Sequence, residues 1–215
     1  MNPERTPELF DAWADTYDDI IKSWSSGFPF LGYEALLDRI HEIASPNPEM
    51  TVLDVGIGTG SLASRFAESG CVIWGLDYSS RMLEHAARRI PMATLVNLDL
   101  RSDWSSRIAT RFDRIVSAYV LHHFDLQTNL KLIPRMVNYL TPDGFILIGD
   151  VSFTTLEDHD TARKNLQGLW DEDEHYFVAN ELCEGLRRMN LEISYEQVSL
   201  YGGIYHITRG SKNEY

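Results

Sequence analysis

The chain has 215 residues, of which 44% are apolar and 24% charged, and its formal net charge is −13 at pH 7. This length predicts one well-buried domain. The acidic charge argues against a nucleic-acid ligand, because binding to phosphates depends on Lys and Arg, so we expect a small-molecule partner.

The sequence also predicts a cytoplasmic protein. It has no apolar run of the about 18 residues that suggest a membrane span. Its polar start, MNPERTPELFDAW, is unlike a signal peptide. Cys71 and Cys183 lie far apart in apolar surroundings, and we expect both to be reduced core thiols.

Two amphipathic stretches precede the first strand. Pro7 to Ser23 and Leu31 to Ala44 each carry apolar residues at helical spacing. We expect both to form helices near the ligand-binding edge of the sheet.

From Thr51 onward, short apolar runs alternate with segments of helical spacing. The runs are apolar at consecutive positions, which is typical of parallel strands covered on both faces. The predicted strands are TVLDV, CVIWGLD, ATLVNL, FDRIVSAYV and GFILIGDV, and the predicted helices are 61–69, 80–89 and 126–139. Ser79 is a plausible N-cap, and TPDG at 141–144 is predicted to be a turn before the fifth strand.

The C-terminal part departs from this alternation. LEISYEQVSL and IYHITR flank Gly202 and Gly203, a pair suited to a tight hairpin turn. We therefore predict an open α/β sheet of mostly parallel strands that ends in an antiparallel pair.

The segment VLDVGIGTGSL holds three glycines just after the first strand. Gly56 and Gly58 allow a close approach of the backbone to a ligand, although glycines also occur in turns for conformational reasons alone. A dinucleotide fingerprint needs Gly or Ala three positions beyond the second glycine, where this chain has Ser61.

Acidic residues follow the next two strands. Asp77 can accept both hydroxyls of a ribose, or it can cap a helix. Asp99 can accept from an adenine amino group, while the backbone N–H of Leu100 reaches a ring nitrogen. Because the carboxyl ends of these strands share one crevice, the three features together indicate an adenosine-containing ligand.

These motifs resemble those of the class I S-adenosylmethionine-dependent methyltransferases. VLDVGIGTGSL matches their first motif, GLDYS the ribose motif, NLDL the adenine motif and FDRIVSAYVLHHF the strand-four motif. The resemblance covers essentially residues 8–208 and implies a Rossmann-like, seven-stranded sheet with a C-terminal antiparallel hairpin. More narrowly, LFDAWADTYD, IVSAYVLHHF and DEHYF look like the YrrT group, a resemblance that implies no settled substrate.

The resemblance also implies a division of the chain. We expect residues 1–215 to form a single methyltransferase domain. Its parts would be an N-terminal helical cap at 1–48, a cofactor-binding core at 49–150, a substrate lid at 151–190 and the terminal hairpin at 191–208.

The expected cofactor is S-adenosylmethionine. Asp54 would reach its amino group or serve a structural role, and Tyr17 would cover it with an aromatic face. Trp13 lies four residues before Tyr17, so both would share one helix face. The predicted cofactor-binding residues are Tyr17, Asp54, Gly56, Gly58, Asp77, Tyr78, Met82, Asp99, Leu100 and Ser117.

His123 is the candidate catalytic residue. It would act as a general base at the acceptor, although a structural histidine is an open alternative. We predict no metal site, because His122 and His123 are adjacent and are expected to diverge. Trp170, His175 and Tyr176 are candidates for the acceptor pocket.

The sequence therefore predicts a methyltransferase acting on a small-molecule acceptor. Two alternatives are a non-catalytic, regulatory S-adenosylmethionine-binding protein and a nicotinamide-dependent oxidoreductase. A methyltransferase acting on tRNA or protein is a third alternative, which the acidic charge disfavours.

Overall fold

The computed structural model describes residues 6–210, which form an α/β fold. The helices are α1 Pro7–Trp13, α2 Tyr17–Trp24, α3 Tyr33–Ala44, α4 Ser61–Glu68, α5 Ser80–Arg89, α6 Leu126–Val137, α7 Leu156–Asn165 and α8 Ala179–Arg187. The strands are β1 Thr51–Val55, β2 Val72–Asp77, β3 Thr94–Asn97, β4 Phe112–Ala118, β5 Leu140–Phe153, β6 Phe177–Val178, β7 Leu191–Gln197 and β8 Gly202–Arg209.

The sheet has the order β3-β2-β1-β4-β5-β8-β7, and the short β6 pairs with the end of β5. Strands β1 to β5 run parallel, whereas β8 is antiparallel to both β5 and β7. The predicted open sheet with its terminal antiparallel pair is confirmed. The strand order reverses between β1 and β4, which is where ligands bind in sheets of this kind.

Two apolar clusters cover the opposite faces of the sheet. One contains Leu53 and Ile115 with residues of α6 and α8, and the other contains Val52 and Val116 with residues of α3 and α4. Neighbouring residues of one strand therefore point into different clusters. This explains why the strands are apolar at consecutive positions.

The predicted turn at 141–144 is wrong. These residues belong to β5, which begins at Leu140. The pairing shifts from Phe112 with Leu140 to Arg114 with Phe145, so β5 carries three more residues than β4 over this stretch. TPDG is therefore a bulge within a strand, and such bulges use the same turn-forming residues.

The predicted hairpin turn is displaced. Gly202 and Gly203 lie in β8, paired with Val151 and Asp150, and the connection from β7 to β8 is residues 198–201. A Cβ atom at Gly203 would lie 2.3 Å from the Tyr195 hydroxyl oxygen. The second glycine therefore makes room for a neighbouring aromatic side chain rather than forming the turn.

The N-terminal stretch is also not one helix. Helix α1 ends at Trp13 and α2 begins at Tyr17, so Trp13 and Tyr17 do not share a helix face. Within residues 6–210, none of the helices has the length and apolar character needed to cross a membrane.

Candidate functional site

A cavity of about 560 Å³ lies at the carboxyl ends of β1 to β4. Nine of the ten predicted cofactor residues line it: Tyr17, Asp54, Gly56, Gly58, Asp77, Tyr78, Met82, Asp99 and Leu100. Helix α1 contributes Pro7 and Phe10 to the wall. The cavity is therefore formed by the sheet edge together with the N-terminal region.

The glycine turn shapes the wall nearest β1. Gly56, Gly58 and Gly60 all have positive φ, of 78°, 53° and 88°. A Cβ atom at Gly56 would lie 2.4 Å from a methyl carbon of Val120, whereas one at Gly58 would meet no atom within 4 Å. Because Gly58 lines the cavity, its missing side chain leaves space for a ligand.

Helix α4 begins directly after this turn. Its first two residues, Ser61 and Leu62, line the cavity. The N–H groups and positive dipole end of a helix N-terminus favour an anionic group there. A cofactor carboxylate matches this end of the cavity.

Asp77 lies at the end of β2 and links the glycine turn to the start of α5 through hydrogen bonds. Its Oδ2 accepts from the Gly58 amide at 2.9 Å, and its Oδ1 accepts from the Ser79 amide at 2.9 Å. Burial raises the pKa of Asp77 to about 6, although these hydrogen bonds oppose the shift. A carboxylate has about four acceptor positions, so Asp77 can also accept from ribose hydroxyls.

Asp54 is buried at the end of β1, with a side-chain oxygen that lacks a hydrogen-bond partner within residues 6–210. Burial, with a further contribution from Asp77, raises the pKa of Asp54 to about 8. A buried oxygen without a partner is costly. An ammonium group bound in the cavity would provide the missing partner and favour the ionised carboxylate. Asp54 thus fits the cofactor's amino group.

Asp99 lies two residues beyond β3, at the adenine end predicted from sequence. Arg101 contacts it through its side chain at 2.8 Å and donates its backbone N–H at 2.8 Å. The Arg101 side chain, whose effect outweighs partial burial, lowers the pKa of Asp99. Arg101 also lines the cavity, a contribution that the sequence analysis missed.

Phe10 is a second missed residue. Its ring lies 5.4 Å from that of Tyr78 and 5.3 Å from that of His123. The Phe10 ring therefore lies between Tyr78, which follows β2, and His123, which follows β4. Tyr17 lines the same cavity, and burial raises the pKa of its hydroxyl far above the usual value.

Polar contacts hold the two N-terminal helices against the rest of the site. Asp11 accepts from the Ser79 hydroxyl at 2.5 Å, and Asp15 pairs with Arg81 at 2.6 Å. Asp18 accepts from Thr59 at 2.7 Å. These contacts join α1 and α2 to α5 and the glycine turn.

Ser117 is not brought to the cavity. Its hydroxyl donates to the Val55 carbonyl at 2.7 Å, a bond buried between β4 and β1. The next residues, Ala118 and Tyr119, line the cavity instead. Tyr119 has a positive φ of 56°, a backbone strain that is typical of ligand sites.

His123 lines the cavity from a 3₁₀ turn, Leu121–His123, that follows β4. Its Nδ1 lies 2.9 Å from Oε2 of Glu174. The expectation that His122 and His123 diverge is wrong, because the tight turn brings their ring centroids within 4.2 Å. His122 is buried, with its Nδ1 2.5 Å from Oδ1 of Asp150.

The segment 151–190 approaches the site through Asp173, which lines the cofactor cavity. Trp170, His175 and Tyr176 line a second cavity of about 360 Å³, together with Glu174. Glu174 contacts His123, which lines the first cavity. The two cavities therefore meet at this pair of side chains.

Comparisons with known proteins agree with this geometry. A sequence model of the family described as "Methyltransferase domain" matches residues 52–144. The uncharacterized methyltransferase OB1106 of Oceanobacillus iheyensis is 27% identical over 201 residues, which cover 89% of this chain and 92% of that protein. The uncharacterized methyltransferase YrrT of Halobacillus halophilus is 24% identical over 213 residues, covering 94% and 97%.

A solved structure shares the fold. Magnesium protoporphyrin IX methyltransferase from Synechocystis PCC 6803, with bound S-adenosylhomocysteine, has a TM-score of 0.69 and 20% identity. The match covers 94% of this chain and 98% of that one. From its motifs, sheet order and these likenesses, we conclude that the chain belongs to the class I S-adenosylmethionine-dependent methyltransferases and is a relative of the YrrT proteins.

Proposed function

We propose that this methyltransferase acts on a small-molecule acceptor that enters beside His123. The observation that carries the proposal is the concave cavity of about 560 Å³ beside His123. Phe10 of α1 and Asp173 of the 151–190 segment both contribute to its wall. Its volume lies within the range of about 300–1,000 Å³ that is typical of small-molecule sites, and the net charge of −13 disfavours an RNA acceptor.

The cofactor would be held along the strand ends. Asp54 would pair with its amino group, and Gly58 would leave room for its methionine part. Asp77 would accept from the ribose hydroxyls. At the adenine end, Asp99 and Leu100 would bind the base, with Tyr78 and Met82 packing beside it.

S-Adenosylmethionine supplies a methyl group that is already activated by the sulfonium. The protein's remaining task is to position the acceptor and remove its proton, and positioning alone can contribute about 7–11 kcal/mol in the best cases. We assign the proton transfer to His123. If Nδ1 donates to Glu174, then Nε2 carries the lone pair of the neutral ring and can accept a proton.

The fold relative supports a small acceptor. Magnesium protoporphyrin IX, named in that enzyme's description, is a small molecule. A fold by itself does not define a substrate, so the acceptor of this chain must be found by experiment. A regulatory S-adenosylmethionine-binding protein is the alternative that such an experiment must exclude.

The test is a screen of metabolite fractions for formation of S-adenosylhomocysteine. The acceptor is then identified as a compound that gains one methyl group by mass spectrometry. We expect His123→Gln to slow turnover while preserving cofactor binding, whereas His175→Gln, in the second cavity, retains the proton-transfer step. Turnover with protein or RNA alone, and with none of the metabolite fractions, would reject the small-molecule proposal.

A further inference from the structure

Three side chains with metal-binding atoms converge at the junction of the two cavities. One nitrogen each from His122 and His123, and a carboxylate oxygen of Glu174, all lie within 4.8 Å of one another. Glu174 Oε2 lies 3.5 Å from His122 Nε2 and 2.9 Å from His123 Nδ1. The side chains are 9%, 18% and 6% exposed, respectively.

These separations suit a small divalent cation. Zinc binds imidazole nitrogen and carboxylate oxygen at about 2.0–2.2 Å, which places tetrahedral ligand atoms about 3.3–3.5 Å apart. An ion can therefore replace the direct contacts between the carboxylate and the two rings with only small movements. Two histidines and one glutamate are also a ligand set found in catalytic zinc sites.

Asp150 provides the outer support that such sites use. Its Oδ1 lies 2.5 Å from His122 Nδ1, and its Oδ2 accepts from the backbone amides of Leu121 and His122. A carboxylate that binds one ring nitrogen fixes the tautomer in which the other nitrogen can bind a metal. Here that other nitrogen, Nε2, is the one nearest Glu174.

We propose that His122, His123 and Glu174 form a divalent metal site of the zinc type, supported by Asp150, at the acceptor end of the cofactor cavity. Three protein ligands leave a fourth position for water or an acceptor atom. This proposal rests on the proposed function in one respect, because the metal would act on the acceptor of the methyl transfer. It favours an acceptor with an oxygen or sulfur nucleophile, whose ionisation a bound metal promotes.

Metal binding and the base role of His123 are then alternative states of the same ring. With Nδ1 bound to the metal, the other nitrogen carries the proton and does not accept one. The metal would take over the ionisation of the acceptor in that state. We also expect the metal-free protein to retain cofactor binding, because His123 lines the cofactor cavity whereas His122 and Glu174 do not.

The test uses the tag-free protein after removal of metals with a chelator, titrated with Zn²⁺ alone by calorimetry and with Co²⁺ by visible absorption. We expect one equivalent per chain and the intense absorption of a tetrahedral Co²⁺ complex. Glu174→Gln and His123→Ala should each weaken Zn²⁺ binding at least about tenfold, and Asp150→Asn by about 10–100-fold. Glu172→Gln and His175→Ala are matched controls from the same segment and should bind as the unmodified protein does.

S-Adenosylhomocysteine binding is measured on each variant as a test of folding. If Zn²⁺ does not bind stoichiometrically, or if Glu174→Gln and His123→Ala bind it like the controls, the metal proposal is overturned. In that outcome, retained binding of S-adenosylhomocysteine leaves the proposed function intact. If the unmodified protein binds Zn²⁺ but does not bind S-adenosylhomocysteine, that result would instead contradict the proposed function alone.

Discussion

Replacing Asp54 with Asn should stabilise the protein and weaken its cofactor binding at the same time. The pKa of Asp54 is raised from 3.8 to about 8 by burial and by Asp77. At pH 7 the unfolded chain ionises this group, whereas the folded protein holds it mainly protonated. The difference costs about 4 kcal/mol of folding free energy.

An Asn side chain avoids this cost because it does not ionise. It introduces a buried amide whose hydrogens are incompletely paired, at about 1–3 kcal/mol. We therefore expect Asp54→Asn to raise the free energy of unfolding of the ligand-free protein by about 1–3 kcal/mol at pH 7. Above pH 8, its affinity for S-adenosylhomocysteine should fall by about 10–150-fold, the equivalent of a lost charge-assisted pair.

The pH dependence of stability and of cofactor affinity provides an independent test of the role of Asp54. Because the folded pKa is raised, the stabilising contribution of neutral Asp54 is lost as pH rises from about 4 to about 8. A bound ammonium group favours the ionised carboxylate, so binding releases a proton below about pH 8, and affinity should rise with pH up to that value. Asp54→Asn should remove the part of both dependences between about pH 6 and pH 8 and leave the part due to Asp77, whose pKa is raised to about 6 by burial.

Asp113→Asn is the matched control. Hydrogen bonds from Thr51 and Thr141 lower the pKa of Asp113 despite partial burial. This substitution should therefore destabilise the protein and leave cofactor affinity unchanged. Chemical denaturation and calorimetry over a pH series measure both quantities. If Asp54→Asn is less stable than the unmodified protein, or binds S-adenosylhomocysteine equally well at every pH, the assignment of Asp54 is wrong.

Three further predictions concern the glycine turn, Asp77 and the N-terminal residues 8–24. By differential scanning fluorimetry, Gly56→Ala should lose about 1–3 kcal/mol of stability, because the added Cβ atom meets Val120 at a residue with positive φ. Gly58→Ala should lose mainly cofactor affinity, because its added Cβ atom meets no protein atom within 4 Å. Asp77→Asn should weaken cofactor binding by about 1.5–3 kcal/mol in calorimetry, and unchanged affinity would remove it from the site. Hydrogen exchange of residues 8–24 should slow when S-adenosylhomocysteine binds. Equal exchange with and without the ligand would show that these helices are ordered independently of it. Tyr17→Phe should keep most of the cofactor affinity that Tyr17→Ala loses.

The parallel part of the fold could be predicted from the sequence because each of its elements is indicated by a short, continuous stretch of residues. Each of β1 to β5 contains a short apolar run, and Ser79 caps α5 as expected, accepting from the Met82 amide. The turns were less predictable. TPDG and the Gly202–Gly203 pair have turn-forming composition, yet one is a bulge and the other makes room for Tyr195. Only the partner strand decides between these outcomes.

The same limit applies to the site. The glycines and Asp77 follow from spacing, because the strand ends fix where they lie. The Ser117 hydroxyl is used by the Val55 carbonyl, a contact between strands that no spacing reveals. Phe10 and Glu174 reach the site from segments distant in sequence. The convergence of His122 and His123 depends on a single 3₁₀ turn, which the sequence analysis treated as a divergent loop.

The most direct test of the account is calorimetric titration of the purified protein with S-adenosylmethionine, S-adenosylhomocysteine and NAD. We expect each of the first two to bind one site per chain, with the affinity for S-adenosylhomocysteine reduced by Asp54→Asn and by Gly58→Ala, and we expect no binding of NAD. Binding of NAD without either sulfur compound, or binding of S-adenosylhomocysteine that both substitutions leave unchanged, would contradict the placement of the cofactor at the glycine turn.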